Sequence, residues 1–216
     1  MKRQHNGTGL GPRVTKKSEQ RLASIRRLLD SALHLFVSKG YRYTNLEGIA
    51  GAARLSKGAV LFYFGSKEAV LLELLKRVQA IVVDEALETA AKAGPGAGDR
   101  IVAFLHHQAK LGVTHRDEVL LLILMSVEFS GHQGPVSREI GRIYRRLYAF
   151  VEKVIREGRA SGELRSDLSP REAASIVMAN HDGTFLEWYR RSGSLRGTAL
   201  VRALREVVLS GVRRKR

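Results

Sequence analysis

The chain has 216 residues, 44% of them hydrophobic, enough for a short module of about 60 residues and a larger packed body. It has no cysteine, which excludes disulfides, thiolate metal sites and cysteine nucleophiles and suits a reducing cytoplasm. The net charge is +16, unevenly placed: residues 1–67 hold 13 Lys/Arg against three acidic residues, a balance of +10, and the other 149 residues hold +6. A dense positive field on one small module favours a polyanion, although composition alone leaves a solubility charge or an anionic membrane surface open. The longest apolar run, Val119 to Val127, is broken only by Ser126 and is far too short for a membrane span. The basic N-terminus lacks the apolar stretch of a secretory signal.

Residues 1–16 read as a flexible basic arm. Ile25, Leu28, Leu29, Ala32 and Phe36 then keep helical spacing, and Gly40 stands where a glycine stops the helix. Thr44-Asn45-Leu46-Glu47 has the Thr/Glu spacing of a capping box and opens a short helix with Leu46, Ile49, Ala50 and Ala53 inward. Ser56 caps a second short helix to about Phe64, and Gly65-Ser66 breaks the chain before a long helix from about Lys67. Gly94 to Gly98 is the clearest loop. Five further helices are expected over 99–113, 115–130, 137–161, 170–192 and 196–212, with Ser169-Pro170-Arg171-Glu172 as a second capping box. No segment alternates with the period of a strand, so the fold class is all-α.

Two short helices joined by a tight turn and braced by neighbours describe a helix-turn-helix. Its second helix must enter a groove about one helix wide, so small or polar residues are needed near its start. Ser56, Lys57, Gly58 and Ala59 meet that need, with Leu61, Phe62 and Tyr63 following. Ile49, Ala50, Ala53, Leu55 and Val60 are apolar and mostly small, as a close helix crossing requires.

From Leu29 to Leu72 the chain resembles the TetR family of bacterial regulators. The match runs in register through Ala32, Leu35, Phe36, Gly40-Tyr41, Thr44, Leu46, Ile49, Ala50, Ala53, Ser56-Lys57-Gly58-Ala59, Phe64, Ser66-Lys67-Glu68 and Leu72. The resemblance implies that Thr44 and its neighbour Asn45 approach the DNA backbone, that Ser56 to Ala59 and Phe62 lie in the major groove, and that Lys67 contacts a phosphate. Arg54 replaces a frequent glycine, so it either tolerates the turn or adds a phosphate contact. Leu61 replaces a usual tyrosine, and Tyr63 either takes over that contact or it is lost.

The module divides the chain into the arm (1–16), a DNA-binding domain (17–67), a helical regulatory and dimerisation domain (68–212) and a basic tail (213–216). Gly158, Gly162-Glu163-Leu164, Asp167, Pro170, Ala173-Ala174 and Asp182-Gly183 add a weaker resemblance to C-terminal domains of such regulators. The resemblance implies pairing through the last two helices, for which Ile176, Val177, Gly183, Leu186, Leu200, Leu204, Val207 and Val208 are the candidates; an ordinary core face is the alternative. Polar or aromatic residues that interrupt apolar helices are candidates for a small-molecule pocket: His107, Met125, Glu128, Phe129, Tyr144, Tyr148, Asn180, His181, Phe185 and Trp188.

No catalytic constellation is found. His106-His107 cannot both face one metal from a helix, the Gly94–Gly98 loop lacks a phosphate-loop ending, and no nucleophile elbow occurs, so no enzyme, metal or cofactor is expected. The expected function is a sequence-specific DNA-binding homodimer, in which Arg13, Lys16 and Lys17 help hold the DNA backbone and an effector tilts the Lys67 helix to change the spacing of two reading heads. Two readings of other classes remain: a sequence-tolerant DNA-coating protein, and a cytosolic helical ligand-binding protein without DNA function.

Overall fold

The computed structural model describes residues 16–191 and 194–213. Its elements are α1 (Lys16–Lys39), α2 (Leu46–Ala52), α3 (Lys57–Phe64), α4 (Lys67–Val78), a π-helical segment (Gln79–Asp84), α5 (Glu85–Ala91), α6 (Ala97–Thr114), α7 (Arg116–Glu128), α8 (Pro135–Ala160), α9 (Pro170–Arg190) and α10 (Gly197–Val212). The backbone stays helical from α4 through the π segment into α5, so these three form one rod. Counted that way, the described residues form nine helices, and their only strand-like pairing is a single bridge between Leu164 and Arg213. The expected arm residue Arg13 and the last three tail residues lie outside the described residues, while Lys16 and Lys17 open α1.

Each boundary has a local cause. Gly40, at φ +85°, follows the last residue of α1 and donates its N–H to the Phe36 carbonyl. Ser56, Ser66 and Ser169 cap α3, α4 and α9 by accepting the backbone N–H three residues on. The expected capping box at α2 is corrected: Asn45 is the cap, its Oδ1 accepting from Gly48 N at 2.8 Å. Thr44 is buried and donates its hydroxyl to the Gly40 carbonyl (2.9 Å), tying off the end of α1 instead.

Leu28, Ala32 and Phe36 of α1, Ile49 and Ala50 of α2, and Val60 of α3 are buried together, and α4 continues this core with Leu71, Leu74 and Leu75. The small N-terminal module therefore shares a core with the body through α4 and through α1, which packs along α7. Two polar ties mark the ends of α7. At its start, Arg77 donates to Asp30 of α1 (2.5 Å) and to the buried Glu118 (2.8 Å). At its end, Glu128 accepts the backbone N–H groups of Tyr41 (3.3 Å) and Arg42 (3.2 Å), and Phe129 packs edge-on against Tyr41.

Candidate nucleic-acid interface and ligand cavity

Ala53 and Val60 pack the two short helices together, and the turn between them depends on Arg54. Arg54 takes φ +53°, the left-handed region that glycine occupies without cost, and Arg27 stabilises the strained turn by donating to the Ala53 (2.7 Å) and Arg54 (3.2 Å) carbonyls. The arginine thus tolerates the turn, and its residue remains exposed.

The start of α3 is open to solvent: Ser56, Lys57 and Gly58 are exposed, Ala59 is half-buried, and Phe62 is 80% exposed. Phe62 touches the Tyr63 ring edge-on but is otherwise in solvent, outside the core. Lys57 forms an ion pair with Glu47 of α2, both side chains lying in solvent, and this bond holds the Glu47 carboxyl below the usual carboxylate range. Glu47, expected to serve as the second half of a capping box, is thus the partner of Lys57 at the start of α3. Tyr63 is half-buried against the core beside Phe62, and Asn45 is exposed while capping α2.

Two expected backbone contacts are redirected. Lys67 turns its ammonium inward, donating to the Tyr41 and Thr44 carbonyls at 2.8 Å each and lying 4.1 Å from the centre of the Tyr41 ring. The carbonyls of the α1–α2 turn converge at the start of α4 and claim its donors, and desolvation lowers its pKa. Thr44, buried beneath the same turn, has no outward hydroxyl. Tyr43 instead stands 85% exposed on that turn, a candidate phosphate donor that helical periodicity does not single out because it lies between helices.

A cavity of about 600 Å³ lies between α6, α9 and α10. Of the ten pocket candidates, His181, Phe185 and Trp188 line it, and the other seven do not. Met125 is buried in the main core, and Glu128 and Phe129 serve the junction with the reading module. Tyr144 donates to Asp182 (3.0 Å), its phenol held protonated by burial and by that carboxylate, and Tyr148 stacks beside it. His107 is half-buried on α6 with its pKa lowered by desolvation, and Asn180 donates back to Ile176 O within α9. Spacing identified the helices but not which side of each faces the cavity. Gln108, which the sequence reading missed, is in the wall: it is 1% exposed and donates Nε2 to the Val82 carbonyl of the π segment at 2.8 Å.

The candidates for pairing also divide. Ile176 and Val207 are each 62% exposed, and Gly183 is open with space beyond it. Val177, Leu204 and Val208 are corrected to this chain's own core, while Leu186 is half-buried and Leu200 lines the cavity. The physical reason is the helix period: adjacent positions lie about 100° apart, so Ile176 and Val207 face out while Val177 and Val208 join the inward stripe that binds α9 to α10. Among the described residues, no helix is long and apolar enough to cross a membrane.

Comparison with known proteins is consistent with this geometry. Residues 28–74 match the family model of bacterial regulatory proteins of the tetR family, and residues 121–189 match the tetracyclin repressor-like C-terminal domain. The crystal structure of the MbdR regulator from Azoarcus sp. CIB is 47% identical, with 87% of this chain and 98% of that one aligned at a TM-score of 0.80. The fatty acid metabolism regulator protein of Bacillus subtilis (strain 168) is 21% identical over 91% of this chain and its own whole length. AibR, solved in complex with isovaleryl coenzyme A and operator DNA, shares the fold at 19% identity and a TM-score of 0.74, covering 85% of this chain and 97% of its own.

Proposed function

Because the chain belongs to the TetR family of transcriptional regulators, a family of non-enzymatic DNA-binding proteins, we propose that it works as a homodimer that reads a near-palindromic operator and leaves it when the α6–α9–α10 cavity fills. The observation that carries this reading is the exposed start of α3, where Ser56 to Ala59 and Phe62 form a narrow surface fit for the major groove. Lys57, Arg54, Asn45, Tyr43 and the half-buried Tyr63 supply backbone and groove contacts around it, with Lys16 and Lys17 extending the basic surface. Lys67 acts indirectly, by fixing the turn that carries Asn45 and Tyr43. The cavity's apolar wall suits a small-molecule effector, as AibR is solved with an acyl-coenzyme A. Repression is the sign that the family habit favours.

Pairing places two α3 helices on one face. The outward surfaces of α9 and α10 offer Ile176, Gly183 and Val207 for that contact. The double variant Ile176→Glu/Val207→Glu adds charge only at exposed positions, so the monomer is expected to fold with unchanged helix content. Light scattering should then report one chain per particle, and affinity for a two-half-site DNA should fall by about 100-fold or more as bivalency is lost. A variant that stays dimeric would move the pairing surface elsewhere.

A further inference from the structure

The wall of the cavity is mostly apolar; His106, Lys110, Thr184 and Thr198 add polar atoms, and Gln108 and His181 are its buried polar side chains. Gln108 is oriented by its bond to Val82: a carbonyl only accepts, so the amide nitrogen must face it, and Oε1 is the atom left over. That oxygen is buried and has no hydrogen-bond partner. His181, 8% exposed on the same wall, has its Nδ1 at 2.8 Å from Asp182, whose other oxygen accepts from Tyr144. A carboxylate accepts, so Nδ1 is the donor of that bond. Gln108 Oε1 is therefore short of a donor. Lys110, exposed on α6 at the rim, is the one lysine in the wall, and no carboxylate lines it.

We propose that this cavity selects apolar molecules that bring a hydroxyl or N–H donor to Gln108, with an anionic end toward Lys110. A purely accepting group in the same place leaves the Gln108 oxygen unpaired and loses its own hydration as well. The inference rests on the cavity being the effector site and names the chemistry that site reads. It also gives the reading a mechanical address. The same amide holds the Val82 carbonyl inside the π segment, where the helix that carries α4 departs from regular bonding. A ligand on one side of Gln108 thus bears on the rod through the other.

Trp188 is the only tryptophan in the chain and lies in the cavity wall, so its emission reports occupancy directly. The probes are octanoate, 8-hydroxyoctanoate and 8-methoxyoctanoate, flexible chains that share the anionic end and differ only in the distal group. The wild type is expected to bind the hydroxyl form about tenfold more tightly than the methoxy form, the scale of one buried hydrogen bond. In Gln108→Leu that preference should vanish, leaving octanoate the tightest of the three. Equal binding of the hydroxyl and methoxy forms by the wild type, which needs no variant, would overturn the donor requirement while leaving the cavity as a ligand site. Retention of the preference in a folded Gln108→Leu would remove Gln108 as its reader. No change in Trp188 emission with any probe would overturn the assignment together with the effector-site reading beneath it.

Discussion

Arg77→Ala is expected to lower stability by about 2–4 kcal/mol, a loss larger than any single surface substitution should give. Arg77 joins three helices, bonding Asp30 of α1 and Glu118 of α7 from its place on α4. The asymmetry of burial sets the magnitude. Asp30 is half in solvent and is rehydrated when its partner goes, but the Glu118 side chain is 7% exposed and is stranded as an unpaired charge. The figure is set below that for a fully enclosed pair because Arg77 itself is 35% exposed and partly screened. Thermal unfolding should shift downward by roughly 2–4 °C for each kcal/mol. Adding Glu118→Leu removes the stranded charge and should recover most of the loss; a double variant no better than Arg77→Ala would show that lost packing, not buried charge, is responsible.

Gly58→Glu should leave the fold intact and abolish specific DNA binding. A Cβ at Gly58 meets only the Ser56 hydroxyl oxygen, at 3.7 Å, so the position has room. A carboxylate in the first turn of α3 is moreover favourable to the helix dipole, so melting should be unchanged or slightly raised. Against DNA the same charge faces phosphates and base-edge acceptors in the groove. The loss should exceed about 100-fold at fixed salt, given the several kcal/mol that like-charge juxtaposition costs. Unchanged affinity in an electrophoretic shift assay would remove α3 as the reading helix.

The reading module was legible because its constraints are local. Caps, glycine stops and the small-residue run at Ser56–Ala59 are written in consecutive positions, and the structure keeps all but one of them. The exception, Thr44, is instructive: Thr-x-x-Glu satisfies a capping pattern, yet Asn45 also caps, and the long-range need to close α1 assigned Thr44 inward. Lys67 shows the same limit of local reading, since two carbonyls 23 and 26 residues away accept from its ammonium. The cavity was less legible. Glu128 and Phe129 interrupt an apolar helix as pocket residues would, but they face the α1–α2 turn, and only tertiary packing reveals this. The π segment has no local signature at all, because Gln79 to Asp84 is ordinary helical sequence whose altered bonding accompanies the Gln108–Val82 contact.

These ties suggest how the cavity reaches the DNA. The rod from α4 to α5 carries Arg77 and the π segment, and α7 is fastened to the reading module at both ends. A shift of the rod therefore moves the module as one body instead of deforming α3. In the homodimer proposed above, such a rotation would change the distance between two rigid heads, and a fixed operator spacing would convert that change into release.

Selection of bound fragments from a random DNA pool at fixed salt, with the mass of the bound particle measured alongside, tests the central claim most directly. The account predicts an inverted repeat whose half-sites lie about one helical turn apart, or a multiple of it, occupied by an even number of chains. Binding without a consensus, or a single asymmetric site held by one chain, would contradict it.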